Sequence, residues 1–95
     1  MASIVIPRLA GTRERAELLS SDLPDSLEQS AVTIDAQTVA SASQSFADEL
    51  CKQILVKRNA HLLEVHKASP RFARFLNESA RLRGVSDRLI VDVRP

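Results

Sequence analysis

Three sets of side chains have the types and spacing to do chemistry. Ser41, Ser43 and Ser45 alternate through the stretch Ser41-Ala42-Ser43-Gln44-Ser45. A hydroxyl there can cap a helix or accept a phosphoryl group, and a phosphate at a helix start meets the positive end of the helix dipole. Asp35 and His66 each end an expected β-strand, and Ser69 precedes Pro70. Open α/β sheets gather ligand groups outside the carboxyl ends of their strands, so Asp35, His66, Ser69 and Ser43 would line one edge. Arg71, Arg74 and Arg81 fall near one stripe of the last helix with Glu78 between them, a solvated face or a docking surface for an acidic partner.

Several chemistries are disfavoured by the same residues. No Gly-x-Ser-x-Gly elbow accompanies the serines, so the Ser/His/Asp set is a ligand edge and a source of loop caps rather than a hydrolase. Gly11 and Gly84 are the only glycines, which argues against a phosphate-binding loop or a dinucleotide fingerprint. One cysteine and two histidines are too few for a structural zinc site, and no cofactor is expected. Cys51 falls on the apolar side of its helix and reads as a buried, inert thiol. A lone cysteine fits a reducing, cytoplasmic setting. No apolar run is long enough to cross a bilayer.

The elements that position these residues follow from periodicity and caps. Ser3–Pro7 reads as a strand. Thr12 caps a helix over Arg13–Leu19 that turns Ala16, Leu19 and Leu23 inward, with Arg13 and Glu17 spaced to pair. A polar stretch over 20–30 contains Pro24, and Ala31–Asp35 is a second strand. Phe46, Leu50, Cys51, Ile54 and Leu55 define a helix over 46–57, with Ser45 and Asp48 placed as in a capping box. Asp48, Glu49, Lys52, Gln53 and Lys57 would fill its exposed side. Leu62–His66 is a third strand. Ser69-Pro70 opens a helix that buries Phe72, Phe75, Leu76 and Ala80 and ends at Gly84, and Leu89–Val93 is a fourth strand. Alternating strands and helices in 95 residues predict one α/β domain. Its sheet would be mostly parallel, of four to five strands, with about three helices and right-handed crossovers.

Charge is divided unevenly. Residues 1–49 hold three Lys/Arg against eight Asp/Glu, a balance of −5; residues 50–95 hold ten against four, a balance of +6. That asymmetry makes a homodimer a candidate, one weakened by salt. The small overall charge of +1 and three phenylalanines as the only aromatics make nucleic acid a disfavoured partner.

The segment Val32-Thr33-Ile34-Asp35, then Val39, then Ser43-Gln44-Ser45-Phe46-Ala47-Asp48-Glu49-Leu50 resembles the central signature of STAS-like domains. The Ser-Phe-Ala-Asp-Glu string is similar to a small bacterial STAS-like family of unassigned function. Gly11–Ala16 and Lys67–Pro70 fit it as well, so the resemblance spans roughly residues 3–83. It implies a STAS-like fold related to anti-sigma-factor antagonists and a non-catalytic role. Such a module binds a regulatory protein, often a kinase-like ATPase, through the loop and helix after the central strand. It also implies a phosphoacceptor at that helix start, in a motif that runs roughly Asp-Ser-Ser/Ala-Gly. Here Ser43 stands at the motif's Asp, Gln44 at its acceptor and Phe46 at its glycine, with Ser45 one residue further on. The surface implied for the partner comprises Ser41, Ser43, Ser45, Asp48, Glu49 and Lys52, with Arg71 and Arg74 as a second contact. Ser43 and Ser45 are the candidate phosphorylation sites. The alternatives are a small-ligand or anion-binding module at the Asp35/His66/Ser69 edge, and a nucleic-acid-associated protein using the last helix.

Overall fold

In the computed structural model, which describes residues 2–5, 9–39 and 41–94, the chain is an α/β domain. Among the described residues, six strands and three α-helices run in the order β1 (Ala2–Val5), β2 (Leu9–Ala10), α1 (Arg13–Ser20), β3 (Ala31–Asp35), β4 (Ser41–Ala42), α2 (Gln44–Cys51), β5 (Leu62–Ala68), α3 (Pro70–Leu82) and β6 (Leu89–Val93). α2 continues directly into a π-helical turn over Lys52–Lys57, and a 3-10 turn over Ser86–Arg88 precedes β6. Among the described residues no helix is long and apolar enough to cross a membrane.

The main sheet has the order β1-β3-β5-β6, and every pair in it is parallel. Consecutive parallel strands laid side by side require each crossover to return in the same direction. Right-handed crossovers then send all three helices to one face of the sheet. α2 lies in the middle of that layer, with α1 and α3 packed on its two flanks.

The strands record this two-layer arrangement residue by residue. Val32 and Ile34 of β3, Leu63 and Val65 of β5 and Leu89 of β6 are buried beneath the helices. Between them, Thr33, Glu64, His66, Ile90 and Asp92 point to the other face, which no helix covers. The core is the seam between the layers. Phe46, Leu50, Ile54 and Leu55 enter it from the α2 stretch and Phe72 and Leu76 from α3, with the Phe46 and Phe72 rings 6.1 Å apart.

The elements expected from periodicity are present, with adjustments that have physical causes. Of the strand expected over Ser3–Pro7, Ile6 and Pro7 lie outside the described residues. β5 runs two residues further than expected, to Ala68. It does so through a bulge at which Lys67 takes a left-handed φ of 60°. Phe75 is half-buried rather than fully enclosed. Gly84 ends α3 as expected: its φ is 72°, and the Val85 amide donates back to the Ala80 carbonyl at 2.8 Å. Ser41 and Ala42, read as loop from their serine content, pair in parallel with Leu9 and Ala10 as a second, two-residue sheet.

Candidate functional site

The carboxyl ends of the parallel strands place the starts of all three helices on one edge of the molecule. Each start is capped by a hydroxyl. Thr12 accepts from the Arg15 amide at 3.2 Å, Ser43 from the Phe46 amide at 3.0 Å, and Ser69 from the Phe72 amide at 3.2 Å. The N-cap of α2 is therefore Ser43, which corrects the assignment of that role to Ser45. The reason is register: the helix begins at Gln44, two residues earlier than the first large apolar side chain. Ser45 sits in the first turn, exposed, and among the described residues its hydroxyl makes no hydrogen bond. Replacing Ser43 by alanine is expected to lower stability by about 1 kcal/mol, while Ser45→Ala stays within about 0.5 kcal/mol. Chemical denaturation of the two variants checks this; equal losses would contradict the assignment.

Between these helix starts lies an open cleft of about 430 Å³, lined by Gly11, Ser41, Ala42, Ser43, Ser69 and Arg71. Arg71 leads from it to Pro70 and Arg74 on the exposed start of α3. Both guanidiniums stand over the half-buried Phe75 ring, with Cζ 5.5 Å (Arg71) and 5.8 Å (Arg74) from its centroid. On the other side of the α2 start, Gln44 and Ser45 line a groove of about 290 Å³ with Arg13, Asp48, Glu78, Ser79 and Leu82. The serine loop thus separates two concave surfaces.

The structure divides the expected ligand edge. Asp35 and His66 are register partners on adjacent strands, and both belong to the uncovered face of the sheet. Asp35 caps the following turn by accepting from the Gln37 amide at 2.9 Å, and the His66 imidazole lies 3.7 Å from the Glu64 carboxylate. Ser69 faces the cleft on the helix side, beside Ser43. Among the described residues, no three His, Cys, Asp or Glu side chains come together in a way that could hold a metal ion.

The expectation that Asp48 and Glu49 lie on an exposed side of α2 is also corrected. Asp48 is the centre of a network that ties the three helices together. Arg83 forks onto its carboxylate, with Nε donating to Oδ1 at 2.9 Å and Nη2 to Oδ2 at 2.8 Å. Ser79 donates to Oδ1 from α3, and Arg13 donates to Oδ2 at 2.9 Å from α1. The Arg83 fork, helped by Ser79 and Arg13, holds the Asp48 carboxyl well below the usual carboxylate range despite partial burial.

Glu49 is buried. Burial works against its charge, but Gln53 Nε2 donating at 2.7 Å, together with Lys52 and Arg13, brings its pKa below the ordinary value. Arg13 therefore pairs across the helix layer with Asp48 and Glu49 instead of along its own helix with Glu17. Lys52 stays partly exposed, 3.8 Å from Glu49. Cys51 is fully buried as expected, its thiol pushed up to about 12 chiefly by desolvation.

Arg13, Ser79 and Arg83 are the residues that sequence reasoning missed. The available signal was the uneven charge, since an acidic first half and a basic second half in one small domain must meet somewhere. Compared with family models, with curated proteins and with solved structures, the chain matches none.

Proposed function

We propose that the chain is a non-catalytic protein–protein interaction module of the STAS-like type. It binds a regulatory partner, a kinase-like ATPase by that resemblance, through the segment 41–45 and the exposed side of α2. One observation carries the reading. Ser41, Gln44 and Ser45 are exposed side by side at the carboxyl edge, between two grooves, on a segment held by a strand pairing and a helix cap. A rigidly positioned polar loop of this kind is a suitable contact surface. Asp48 and Glu49 support it from beneath, and Lys52, Arg71 and Arg74 flank it. Ser45 is the phosphoacceptor of choice, because its hydroxyl is exposed whereas that of Ser43 is engaged as a cap.

The test is an affinity pull-down from native lysate with wild type and with Ser41→Arg/Ser45→Arg, read by mass spectrometry. A regulator should be retained by wild type and lost by the variant, and a phosphate mass on residues 41–45 would add a switch. An eluate from wild type that holds the unmodified chain alone would overturn the reading. A second reading, an anion-binding module, is favoured by the cleft in which Ser43, Ser69 and Arg71 converge. It predicts a rise in melting temperature with phosphate or nucleotides, since a ligand of the native state stabilises by mass action.

A further inference from the structure

β6 closes one end of the main sheet, and its outer edge meets no other strand among the described residues. Successive residues of a strand turn their backbone groups to alternate edges. The Arg94 amide donates to the Ala68 carbonyl of β5, and the extra residue of the bulge lies on β5, so β6 itself is regular. Ile90 and Asp92 therefore bond toward β5, whereas Val91 and Val93 direct both amide and carbonyl outward. Leu89 offers only its carbonyl there, because its amide donates to the Ser86 carbonyl. Proline and lysine, the usual guards of an open edge, are missing from Leu89–Val93. Apolar side chains stand exposed on both faces of the strand: Ile90 at 52% on the uncovered face and Val93 at 45% on the helix side.

We infer that two copies of this chain pair β6 with β6, antiparallel, about a two-fold axis through Val91 perpendicular to the sheet. The two four-stranded sheets then continue as one.

Backbone pattern and charge select this occupant and this register. Two opposed residues exchange hydrogen bonds only where both face the free edge. With Val91 opposite its own copy, the two valines exchange a pair of bonds. Each Val93 amide also donates to the Leu89 carbonyl of the other copy. A register centred on Asp92 makes as many bonds but sets Asp92 against Asp92. One centred on Ile90 keeps only the two bonds from Val91 to Leu89. In the chosen register Asp92, the one charge in the strand, stands opposite Ile90, and Val93 gains Leu89 as an apolar neighbour. An unrelated extended segment would supply the bonds alone. A second copy supplies these neighbours as well, and the two-fold closes both free edges in one contact.

The charges nearby do not drive the pairing. Arg88 comes opposite Arg94, but both guanidiniums are bonded within their own copy, Arg88 to the Leu55 and Ala60 carbonyls and Arg94 to those of Gln37 and Val39. The two α3 helices come side by side, each exposing Arg71, Arg74 and Arg81 with Glu78 among them, a mild repulsion that salt screens. One strand covers less than the roughly 800 Å² per partner of a standard interface, so the pair is weak. The inference does not rest on the partner reading above. No residue of β6 lines the cleft or the groove beside segment 41–45, so pairing and partner binding are compatible.

The experiment joins sedimentation velocity with amide hydrogen exchange by NMR on the full chain, circular dichroism confirming that each variant is folded. Wild type should dimerise with a Kd on the order of 100 µM. That Kd should hold or fall between about 50 mM and about 500 mM salt, unlike a pair held by the uneven charge of the sequence. Between about 20 µM and about 1 mM protein, exchange at Val91 and Val93 should slow by about threefold or more, while Ile90 and Asp92 stay protected throughout. Val93→Lys places an ammonium on Leu89 of the other copy and should be monomeric at about 1 mM. Ile90→Lys should keep the dimer, because the new ammonium stands opposite Asp92 of the other copy. A wild type that stays monomeric at about 1 mM would overturn the inference. So would a dimer in which Val91 and Val93 gain no protection, one that salt weakens, one that survives Val93→Lys, or one that Ile90→Lys abolishes.

Discussion

Asp48→Ala is expected to destabilise the fold by about 2–3 kcal/mol, lowering the melting temperature by roughly 10–20 °C for a domain of this size. Standing on α2, the carboxylate accepts one hydrogen bond from Arg13 of α1 and three from Ser79 and Arg83 at the end of α3. Its removal leaves the partly buried Arg83 guanidinium and the buried Ser79 hydroxyl without their acceptor, and a stranded polar group costs more than the bond it once made. Arg13 is half exposed and recovers by turning to water. Asp48→Asn keeps an acceptor oxygen in the same place and is expected to lose only about 1–2 kcal/mol.

The sign with pH follows from the shift. The folded-state pKa of Asp48 lies below its ordinary value of 3.8, chiefly because of Arg83. Its contribution is complete above that unfolded value and is lost as pH falls through the folded one. Below about pH 4 the stability of wild type should fall more steeply than that of Asp48→Asn, which has no proton to take up there. Denaturant midpoints measured between about pH 2 and pH 7 check this. Parallel curves for the two proteins would show that the network contributes little.

The contrast between Asp48 and its neighbours shows where local reasoning reaches its limit. Ser69-Pro70, Thr12 and Gly84 each act within one turn of chain, and all three perform the roles their types suggest. Val32 and Ile34, and Leu63 and Val65, alternate with half-buried or polar residues, so the strands and their inward faces were legible too. The sequential order of the parallel strands was not. It depends on how crossovers stack, and it leaves one sheet face uncovered. Asp48 and Glu49 read as exposed because a single helix shows charged side chains away from its apolar stripe. The residues that cover them come from positions 35 away along the chain, Arg13 before and Arg83 after Asp48. Ser45 reads as the cap for a related reason, since Phe46 announces the core but not the first hydrogen-bonded turn. Of the candidate edge, the pairing of Asp35 with His66 follows from strand register, whereas the assignment of Ser69 to the opposite side required the helix layer.

Cys51 gives an independent report on the same seam. Its sulfur lies 3.8 Å from the Leu76 carbonyl of α3, one turn beneath the contact between Asp48 and Ser79. Desolvation raises the thiol from 9.0 to about 12. Near pH 8 this alone lowers the reactive thiolate by about 10³-fold relative to an unperturbed thiol, and burial removes access as well. Labelling by a disulfide reagent is therefore expected to be slower than in the unfolded chain by at least about 10³-fold, and to proceed only through opening of the α2/α3 seam. If Asp48 holds that seam closed, Asp48→Ala should accelerate labelling by about 30- to 150-fold, the factor that corresponds to 2–3 kcal/mol. Arg13→Ala should have a much smaller effect, because Arg83 and Ser79 keep Asp48 on α3. Rapid labelling of native wild type would contradict the burial of the thiol. Equal acceleration by Asp48→Ala and Arg13→Ala would place the restraint on the α1 side of α2 rather than on α3.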